Sequence, residues 1–569
     1  MSDKTPLKVV IMWHMHQPHY RNAATGQYEL PWTYLHAVKD YVDMAAMLEA
    51  VPAAKVVVNF APVLLEQLDD YGQQIQQFLL HGTPISDPLL SLLVIRPLAV
   101  DQTSRLQLIE ACLRANEERL IKRFAPFDQL ATFARWLQKN PASLAYVEEQ
   151  FFVDLLVWYH LAWMAETVRR QDSFIQMLQK KAQGFTREDC KQLLTLMGEL
   201  IRQVIPRYRR LAERGQVELA CSPYMHPIVP LLLEFNSARE AMPQAPLPEF
   251  PHYPGGEDRT RWHIEKGFQV FERYFGFRPR GCWPSEGSVS EETIKQYAEF
   301  GVQWLASGET VMRSSVAQSP TLQGRLEGSC LHSSFQFGQN PLRLFFRDDG
   351  LSDLIGFTYS SWHSDDAVNN LMHHLENIAS ACGDKKNAVV SIILDGENAW
   401  EYYPDNAYYF LHALYSKLSQ NPKLKMSHFS DVVDSPAVPI SLERLVAGSW
   451  VYGTFSTWIG DKEKNRGWDL LCEAKHAFDL QVTKHLLKGE ALERATQQLA
   501  ICEGSDWFWW FGDYNPSNSV RDFDRLYRTH LAALYQLIGL PVPEVLQQAI
   551  SQGGGDPAAG GVMRQGKQN

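Results

Sequence analysis

Five short apolar runs recur along the chain, and they limit the folds that it can adopt. They are LKVVIMW at 7–13, KVVVNFAPVLL at 55–65, QVELACS at 216–222, GVQWLAS at 301–307 and AVVSIILD at 388–395. Unbroken apolar strands that alternate with helical stretches are typical of a parallel sheet covered by helices on both faces. The pattern therefore predicts an α/β barrel or a doubly wound sheet.

Helical patterns fill most of the remaining chain, which is too long for one core. The stretch between the second and third runs has helical periodicity, which predicts a helical insertion over about 66–214. Amphipathic stretches after Asp395 predict a helical carboxyl-terminal region over 405–550. We assign 1–404 to the barrel with its insertion, and the glycine-rich segment 551–569 to a disordered tail.

The charge balance and the cysteines exclude several classes of function. A formal net charge of -11 disfavours a nucleic-acid groove and an anionic membrane surface, since both need a basic patch. The amino terminus lacks the pattern of a signal peptide, and no apolar run is long enough to span a bilayer. The eight cysteines have no CxxC spacing, as is typical of reduced thiols in the cytoplasm. We therefore expect a cytoplasmic protein that binds neither nucleic acid nor membrane, and the sequence leaves its oligomeric state open.

The segment WHMHQPHY follows the first apolar run directly. Side chains two positions apart in a strand share a face, so His14 and His16 should point the same way from its carboxyl end. This arrangement suits a metal pair or a clamp on a polar ligand, with Gln17 beside it. Alternatively, these histidines and the glutamine are ordinary residues at the end of a strand and have no functional role.

Two carboxylates stand where chemistry is expected in such a fold. Asp395 ends the fifth apolar run, where α/β barrels place catalytic groups, although an aspartate there can also simply order a loop. Glu286 precedes the cap of a predicted helix, so the helix dipole does not explain it, and Trp283 lies three residues earlier. A tryptophan beside a carboxylate can stack on a sugar ring. Glycoside cleavage uses two acids in this way: one attacks the anomeric carbon and the other protonates the leaving oxygen.

Three further stretches combine polar and aromatic residues. The stretch GQVELACSPYMHPIVPLL offers Glu218 as an interior carboxylate and His226 as a ligand-binding loop residue, although a strand-to-loop turn shaped by its prolines explains it equally well. The stretches GSWVYGTFSTWIGDKEKNRGWDLL and EGSDWFWWFGDYNPS contribute tryptophans and acids. So dense an aromatic cluster is hard to bury as core alone.

Five blocks, taken in order, resemble glycoside hydrolase family 57, a family of α-glucan-active amylases, amylopullulanases, 4-α-glucanotransferases and branching enzymes. The blocks are WHMHQP, GQVELACSPYMHPIVP, GCWPSEGSVS, LDGENAW and STWIGDKEKNRGWDLL, and they span 13–471. The resemblance implies a retaining double-displacement mechanism on an incomplete (β/α)7 barrel, with a helical region that completes the cleft. It also implies no cofactor and no catalytic metal. The block EGSDWFWWFGDYN looks most like the amylopullulanase and α-amylase-like branch.

The resemblance also implies roles for individual residues. Glu286 is the expected nucleophile and Asp395 the expected general acid/base. The other expected substrate-binding residues are His14, His16, Gln17, Glu218, His226, Trp283, Trp400, Trp458, Asp506 and Trp507. The implied substrate is an α-1,4-glucan, with α-1,6 bonds as further targets. Hydrolysis and transfer share one intermediate, so a 4-α-glucanotransferase or a branching enzyme stays open.

Two classes of protein remain as alternatives. A metal-dependent hydrolase, similar to an α-mannosidase or a polysaccharide deacetylase, would use His14 and His16 as zinc ligands together with Asp395. A carbohydrate-binding protein without catalytic activity would keep the cleft but would not need its two acids. Both acids are present, which favours an enzyme.

Overall fold

One sheet organises the molecule. The computed structural model describes residues 5–98, 101–322, 331–383, 386–555 and 563. Within these residues, ten strands join the sheet in the order β10-β6-β7-β5-β4-β3-β2-β1-β8, with β9 paired to β1. The strands are β1 (Leu7–Met15), β2 (Val56–Phe60), β3 (Val217–Cys221), β4 (Gly281–Cys282), β5 (Trp304–Ser307), β6 (Phe335–Phe337), β7 (Arg343–Phe346), β8 (Val389–Asp395), β9 (Leu424–Met426) and β10 (Ile440–Leu442).

Neighbouring strands run parallel, except for the antiparallel pair of β6 and β7. All five residues of β2 are buried, as a strand covered on both faces requires. In the part of the chain that the structure describes, β10 and β8 stand at the two ends of the sheet and do not pair with each other. The fold is therefore the expected incomplete (β/α)7 barrel, and that prediction is confirmed.

The second apolar run is only partly a strand. It was predicted over 55–65, but β2 ends at Phe60. Pro62 has no N–H to donate to a sheet, and its fixed φ suits the first turn of the helix Pro62–His81. The other four runs each contain a strand, whereas the five strands that the sequence did not predict are only two to four residues long.

Helices connect the strands. Between β1 and β2 they are Trp32–His36 and Val42–Ala50. Between β2 and β3 they are Pro62–His81, Pro88–Ser91, Gln102–Cys112, Ala125–Lys139, Glu149–Ala162, Glu166–Gln171, Ser173–Lys181 and Arg187–Glu213. Between β3 and β8 they are Val229–Leu233, Ala238–Ala241, Gly256–Phe275, Glu291–Glu299, Glu309–Ala317, Asp349–Asp353 and Ser364–Cys382. After β8 they are Tyr408–Gln420, Phe429–Val433, Lys462–Thr483, Gly489–Cys502, Asp506–Trp510 and Ser517–Leu537.

The long helices Pro62–His81 and Arg187–Glu213 pack closely on each other. A Cβ atom on Gly198 would lie 2.6 Å from Cγ2 of Ile75, so only glycine permits this approach. The second helix begins at a capping box, in which the Thr186 side chain accepts from the backbone of Asp189. These two helices frame the helical segment that separates β2 from β3.

A buried ion pair joins the carboxyl-terminal helices to the barrel. The Glu503 carboxylate accepts from Arg259 over 2.6 Å and from His263 over 2.7 Å, both in the helix Gly256–Phe275. All three side chains are buried. Burial raises the pKa of Glu503, but Arg259 and His263 together outweigh burial and hold that pKa well below its usual range. The cluster fixes the position of the segment that follows Glu503.

The cysteines and the predicted tail can be compared with the structure only in part. Seven cysteines are described, and all of these are free and buried, whereas Cys330 lies outside the described residues. The predicted tail begins at 551, yet Ser551 is buried and donates its hydroxyl to Glu463. Most of the remaining tail, 556–562 and 564–569, lies outside the described residues, so its disorder stays a prediction, as do the domain boundaries. Among the described helices, none combines the length and apolar character that crossing a bilayer requires.

Candidate active site

The carboxyl ends of several strands meet at one edge of the sheet. The register of β1 places His14 beside Asp395 in β8 and beside Asn59 in β2. The neighbouring strands β3 and β4 lead into the loops that carry His226 and Glu286. Parallel pairing therefore brings residues from four distant parts of the chain to the same place.

Glu286 sits in a tight turn after β4. Its φ of 59° is left-handed, which costs a non-glycine residue about 1–2 kcal/mol, and surrounding contacts must hold it there. Trp450 supplies two of them: its indole Nε1 donates to Oε2 of Glu286 over 3.0 Å, and its backbone N–H donates to the Glu286 carbonyl over 3.1 Å. The Glu286 side chain is 12% exposed, so the carboxyl group is reachable from outside.

Asp395 ends β8 and is partly exposed, and Glu397 follows it as a second, buried carboxyl group. Oε1 of Glu397 accepts from the backbone of His16 over 3.2 Å, from Gln17 over 3.1 Å and from the Tyr41 hydroxyl over 3.1 Å. Its Oε2 has no hydrogen-bonding partner among the described residues. Glu397 therefore fixes the loop after β1 and keeps one oxygen available.

Three imidazole rings stack beneath these acids. The rings of His16 and His226 lie 4.0 Å apart, and His14 lies 5.6 Å from His16 and 5.1 Å from His226. Nδ1 of His14 donates to the side-chain oxygen of Asn59 over 2.7 Å. Nε2 of His16 lies 2.8 Å from a carboxylate oxygen of Asp506. These partners fix the orientation of two of the rings.

The carboxyl-terminal region closes this side of the site. Nδ1 of His226 lies 3.0 Å from the Ser505 hydroxyl, and the Ser505 backbone donates to the His226 carbonyl over 3.0 Å. The next residue, Asp506, begins the helix Asp506–Trp510. This double contact places Asp506 against His16.

Burial raises the pKa of both acids. Burial, followed by the charge of Asp395, raises the pKa of Glu286 to about 8. Burial raises the pKa of Asp395 to about 6, although the hydrogen bond from Asn398 opposes it. At neutral pH the two carboxyl groups therefore share about one proton.

The neighbouring groups respond differently to the same burial. Burial, followed by the proximity of His16, lowers the pKa of His14 to about 3, so that His14 is neutral. Burial also lowers the pKa of His16, but Asp506, with smaller contributions from Glu286 and Asp395, outweighs burial and raises the pKa above its ordinary value. Burial, then the charge of Asp395, raises the pKa of Glu397 well above its ordinary value.

These side chains line a cleft of about 430 Å³. Its volume falls within the range of small-molecule sites, roughly 300–1,000 Å³. Six of the sequence-predicted residues line it, namely His14, His16, Gln17, Glu286, Asp395 and Asp506. Two more are buried directly behind: His226 stacks on His16, and Trp283 packs edge-on against Trp450 with the ring centres 5.4 Å apart.

The remaining predicted residues lie elsewhere. Trp400, Trp458 and Trp507 are buried in the core rather than in the cleft wall: Trp400 donates to the Gly396 carbonyl, and Trp507 to the Ile501 carbonyl. A large indole gains most from complete burial, which explains their position.

Glu218 lies at the second residue of β3, toward its amino end. It accepts from the Trp304 indole over 2.8 Å and from the Ser430 backbone over 3.0 Å. Its contacts are therefore structural ones, away from the cleft.

The cleft also contains residues that the sequence analysis did not assign to it. They include Glu397, Trp450, Trp509 and Trp510, all in the quoted blocks, together with Arg114 and Asn116 from the helical insertion. Glu397 could have been found from the sequence, because it lies two positions after Asp395 and the end of the strand brings both carboxyl groups into one loop. Arg114 and Asn116 carried no signal, since no motif surrounds them.

Among the residues that the structure describes, one group could hold a metal ion. The ligand atoms of His16, His226 and Asp506 all lie within 4.8 Å of one another. This set differs from the zinc ligands of the metal-dependent alternative, which were His14, His16 and Asp395. His14 is turned toward Asn59, with which it shares a hydrogen bond.

An incomplete barrel that brings two carboxyl groups of raised pKa and an aromatic wall to one cleft has the features of a glycoside-cleaving enzyme. The family model of glycosyl hydrolase family 57 matches residues 10–442. The chain therefore belongs to glycosyl hydrolase family 57. No curated protein matches the chain.

Three solved structures share the fold. The GH57-type branching enzyme from Pyrococcus horikoshii is 16% identical, with a TM-score of 0.56 over 93% of this chain and 89% of that one. The alpha-amylase AmyC from Thermotoga maritima is 13% identical, with a TM-score of 0.55 over 94% of this chain and 93% of that one. The 4-alpha-glucanotransferase from Thermococcus litoralis is 13% identical, with a TM-score of 0.51 over 93% of this chain and 60% of that one. At these identities the likeness concerns the fold alone.

Proposed function

We propose that the protein is a retaining enzyme that cleaves α-1,4-glucans, with α-1,6 bonds as further targets. The observation that carries this proposal is the cleft in which Glu286 and Asp395 share about one proton at neutral pH. Double displacement needs one carboxylate and one carboxylic acid at the same linkage. The aromatic wall of Trp450, Trp509 and Trp510 suits the apolar faces of sugar rings.

The proposed reaction has two steps. A carboxylate oxygen of Glu286 bonds to the anomeric carbon while the glycosidic C–O bond breaks, and Asp395 gives its proton to the leaving oxygen. In the second step, water or a sugar hydroxyl gives its proton to Asp395 and bonds to the anomeric carbon, which releases Glu286. The hydrogen bond from the Trp450 indole stabilises the Glu286 carboxylate.

In the resting protein the shared proton lies on the expected nucleophile, Glu286, and not on the expected acid, Asp395. The pKa of Glu286, about 8, exceeds that of Asp395, about 6, so the proton resides mainly on Glu286 before substrate binds. Nucleophilic attack by Glu286 then requires the proton to pass to Asp395 on binding. The pKa order favours a second assignment, in which Asp395 attacks and Glu286 is the acid/base.

Azide rescue separates the two assignments. With an activated α-glucosyl substrate, the acid/base variant should regain activity and form the α-glucosyl azide, whereas the nucleophile variant should form the β-anomer. We expect the α-product from Asp395→Asn and the β-product from Glu286→Gln. The opposite pattern would exchange the two roles and leave the double-displacement proposal intact.

The general proposal is tested by turnover of maltooligosaccharides, amylose and pullulan. Glu286→Gln and Asp395→Asn should each remove most activity on natural substrates. The matched controls Glu292→Gln and Asp366→Asn carry the same changes at exposed positions of the helices Glu291–Glu299 and Ser364–Cys382, and should be fully active. Near-normal rates in either cleft variant would refute the proposal.

Transfer is the second candidate outcome of the same intermediate. The branching enzyme and the 4-alpha-glucanotransferase among the similar structures favour it. Shorter products from maltooligosaccharides would indicate hydrolysis, longer linear products a glucanotransferase, and new α-1,6 linkages in amylose a branching enzyme. Maltotriose from pullulan would indicate cleavage of α-1,6 bonds, as in an amylopullulanase.

A further inference from the structure

A second cavity adjoins the catalytic cleft. This distal cavity has a volume of about 960 Å³, more than twice that of the cleft. It is bounded by the loop 27–31, the segment 84–95, the helix Gln102–Cys112 and residues 521–525 of the helix Ser517–Leu537. The helical insertion therefore forms one wall of the cavity, and the carboxyl-terminal region forms another.

Three residues line both spaces, namely Leu30, Arg114 and Asp522. Nη1 of Arg114 lies 3.1 Å from Oδ2 of Asp522, so this ion pair links the insertion to the carboxyl-terminal helix. The two spaces thus meet at one leucine and one ion pair. A linear ligand that leaves the cleft on this side would pass directly into the distal cavity.

The chemistry of the walls suits a neutral, hydroxyl-rich ligand. Ser104, Gln107, Leu108 and Ala111 share one face of the helix Gln102–Cys112, and so combine hydroxyl, amide and apolar surface. Sugar rings need this mixture, because they present apolar C–H faces and polar rims.

The charges on the walls also favour a neutral ligand. Five acidic residues, Glu29, Asp87, Asp101, Glu110 and Asp522, outnumber three arginines, Arg114, Arg521 and Arg525. An excess of acid repels phosphate groups and nucleic acid.

We infer that the distal cavity binds the continuation of the α-glucan chain whose scissile linkage lies at Glu286 and Asp395. This inference rests on the proposed function and extends it to chain length. Sugars held in the distal cavity add binding energy that a short oligosaccharide cannot use. The enzyme should therefore prefer long chains.

Filling the distal cavity tests the inference. Gln107→Trp places a bulky side chain on the cavity wall, away from the catalytic cleft. We expect the ratio of kcat/KM for amylose to kcat/KM for maltotriose to fall about tenfold, through a higher KM for amylose. The control Gln102→Trp makes the same change at an exposed position of the same helix outside the cavity, and should leave the ratio unchanged. The inference would be overturned if Gln107→Trp unfolded at the same temperature as the wild type and left this ratio unchanged.

A measurement on the wild-type protein covers the case in which Gln107→Trp does not fold. The value of kcat/KM should keep rising along a series from maltotriose to maltodecaose. A plateau among the shortest members would overturn the inference, since the cavity would then contribute nothing. Wild-type protein without activity on any α-glucan would instead refute the proposed function, so the two failures are distinguishable.

Discussion

Trp450→Phe tests the electrostatic basis of the site. The substitution removes the Nε1–H that donates to Oε2 of Glu286, while it keeps an aromatic ring and the backbone hydrogen bond to the Glu286 carbonyl. A hydrogen bond to a charged group contributes about 1.5–3 kcal/mol. One pKa unit corresponds to about 1.4 kcal/mol. Loss of the donor should thus raise the pKa of Glu286 by about 1–2 units above its value of about 8.

The direction of the change in the pH profile follows from the shared proton. In the wild type, activity falls on the alkaline side when the pair loses its one proton. Without the indole donor the carboxylate is less stable, the proton is held more tightly, and the alkaline limb should move upward by about 1–2 pH units. The assay is kcat/KM on a maltooligosaccharide from pH 4 to pH 11, within the range where the folded protein is stable.

The control for this prediction is Trp510→Phe. Trp510 lines the same cleft, and its indole stacks on Phe523 with the ring centres 4.9 Å apart. This variant should change KM and leave both limbs in place. An alkaline limb in Trp450→Phe that stays fixed, or moves to lower pH, would refute the reasoning.

Three further results are expected. The pH profile of kcat/KM for the wild type should be bell-shaped, with limbs near pH 6 and pH 8. Below about pH 6 both acids are protonated, and above about pH 8 neither is. A flat profile over this range would contradict the shared proton. Glu503→Gln should lower the free energy of unfolding in denaturant by about 3–5 kcal/mol, because buried Arg259 loses its partner, whereas Glu257→Gln at an exposed pair should change it little. Since the pKa of Glu503 is depressed, its stabilising contribution is present above the unfolded-state pKa of about 4.3 and should be lost as the pH falls below it. Dialysis against a chelator should leave activity unchanged, and loss of activity with one zinc ion recovered per chain would make His16, His226 and Asp506 metal ligands.

Local patterns in the sequence were enough to find the main strands and to select two acids that line the cleft, while the catalytic roles of these acids stay predictions. A buried parallel strand is apolar throughout, so its run is visible without any partner, and Asp395 is found by where such a run ends. Strands of two to four residues, such as Gly281–Cys282, have no comparable pattern. Their existence depends on neighbours that only the folded chain supplies.

The direction of a side chain was harder to predict than its presence in a motif. Trp400 and Trp450 occur in similar polar and aromatic blocks, yet Trp400 is buried in the core and Trp450 lines the cleft. Glu218 lies in a quoted block too, but its register in β3 turns it toward Ser430. Packing between distant segments decides these cases, and a single sequence does not display it.

The contact between His16 and Asp506 spans 490 positions of the chain. During synthesis, both acids would emerge about a hundred residues before Asp506, the partner that fixes the His16 ring. The floor of the site is therefore finished only when the last helices dock. A fragment that stopped at 442, where the family match ends, would be expected to retain the two acids and lack the working enzyme.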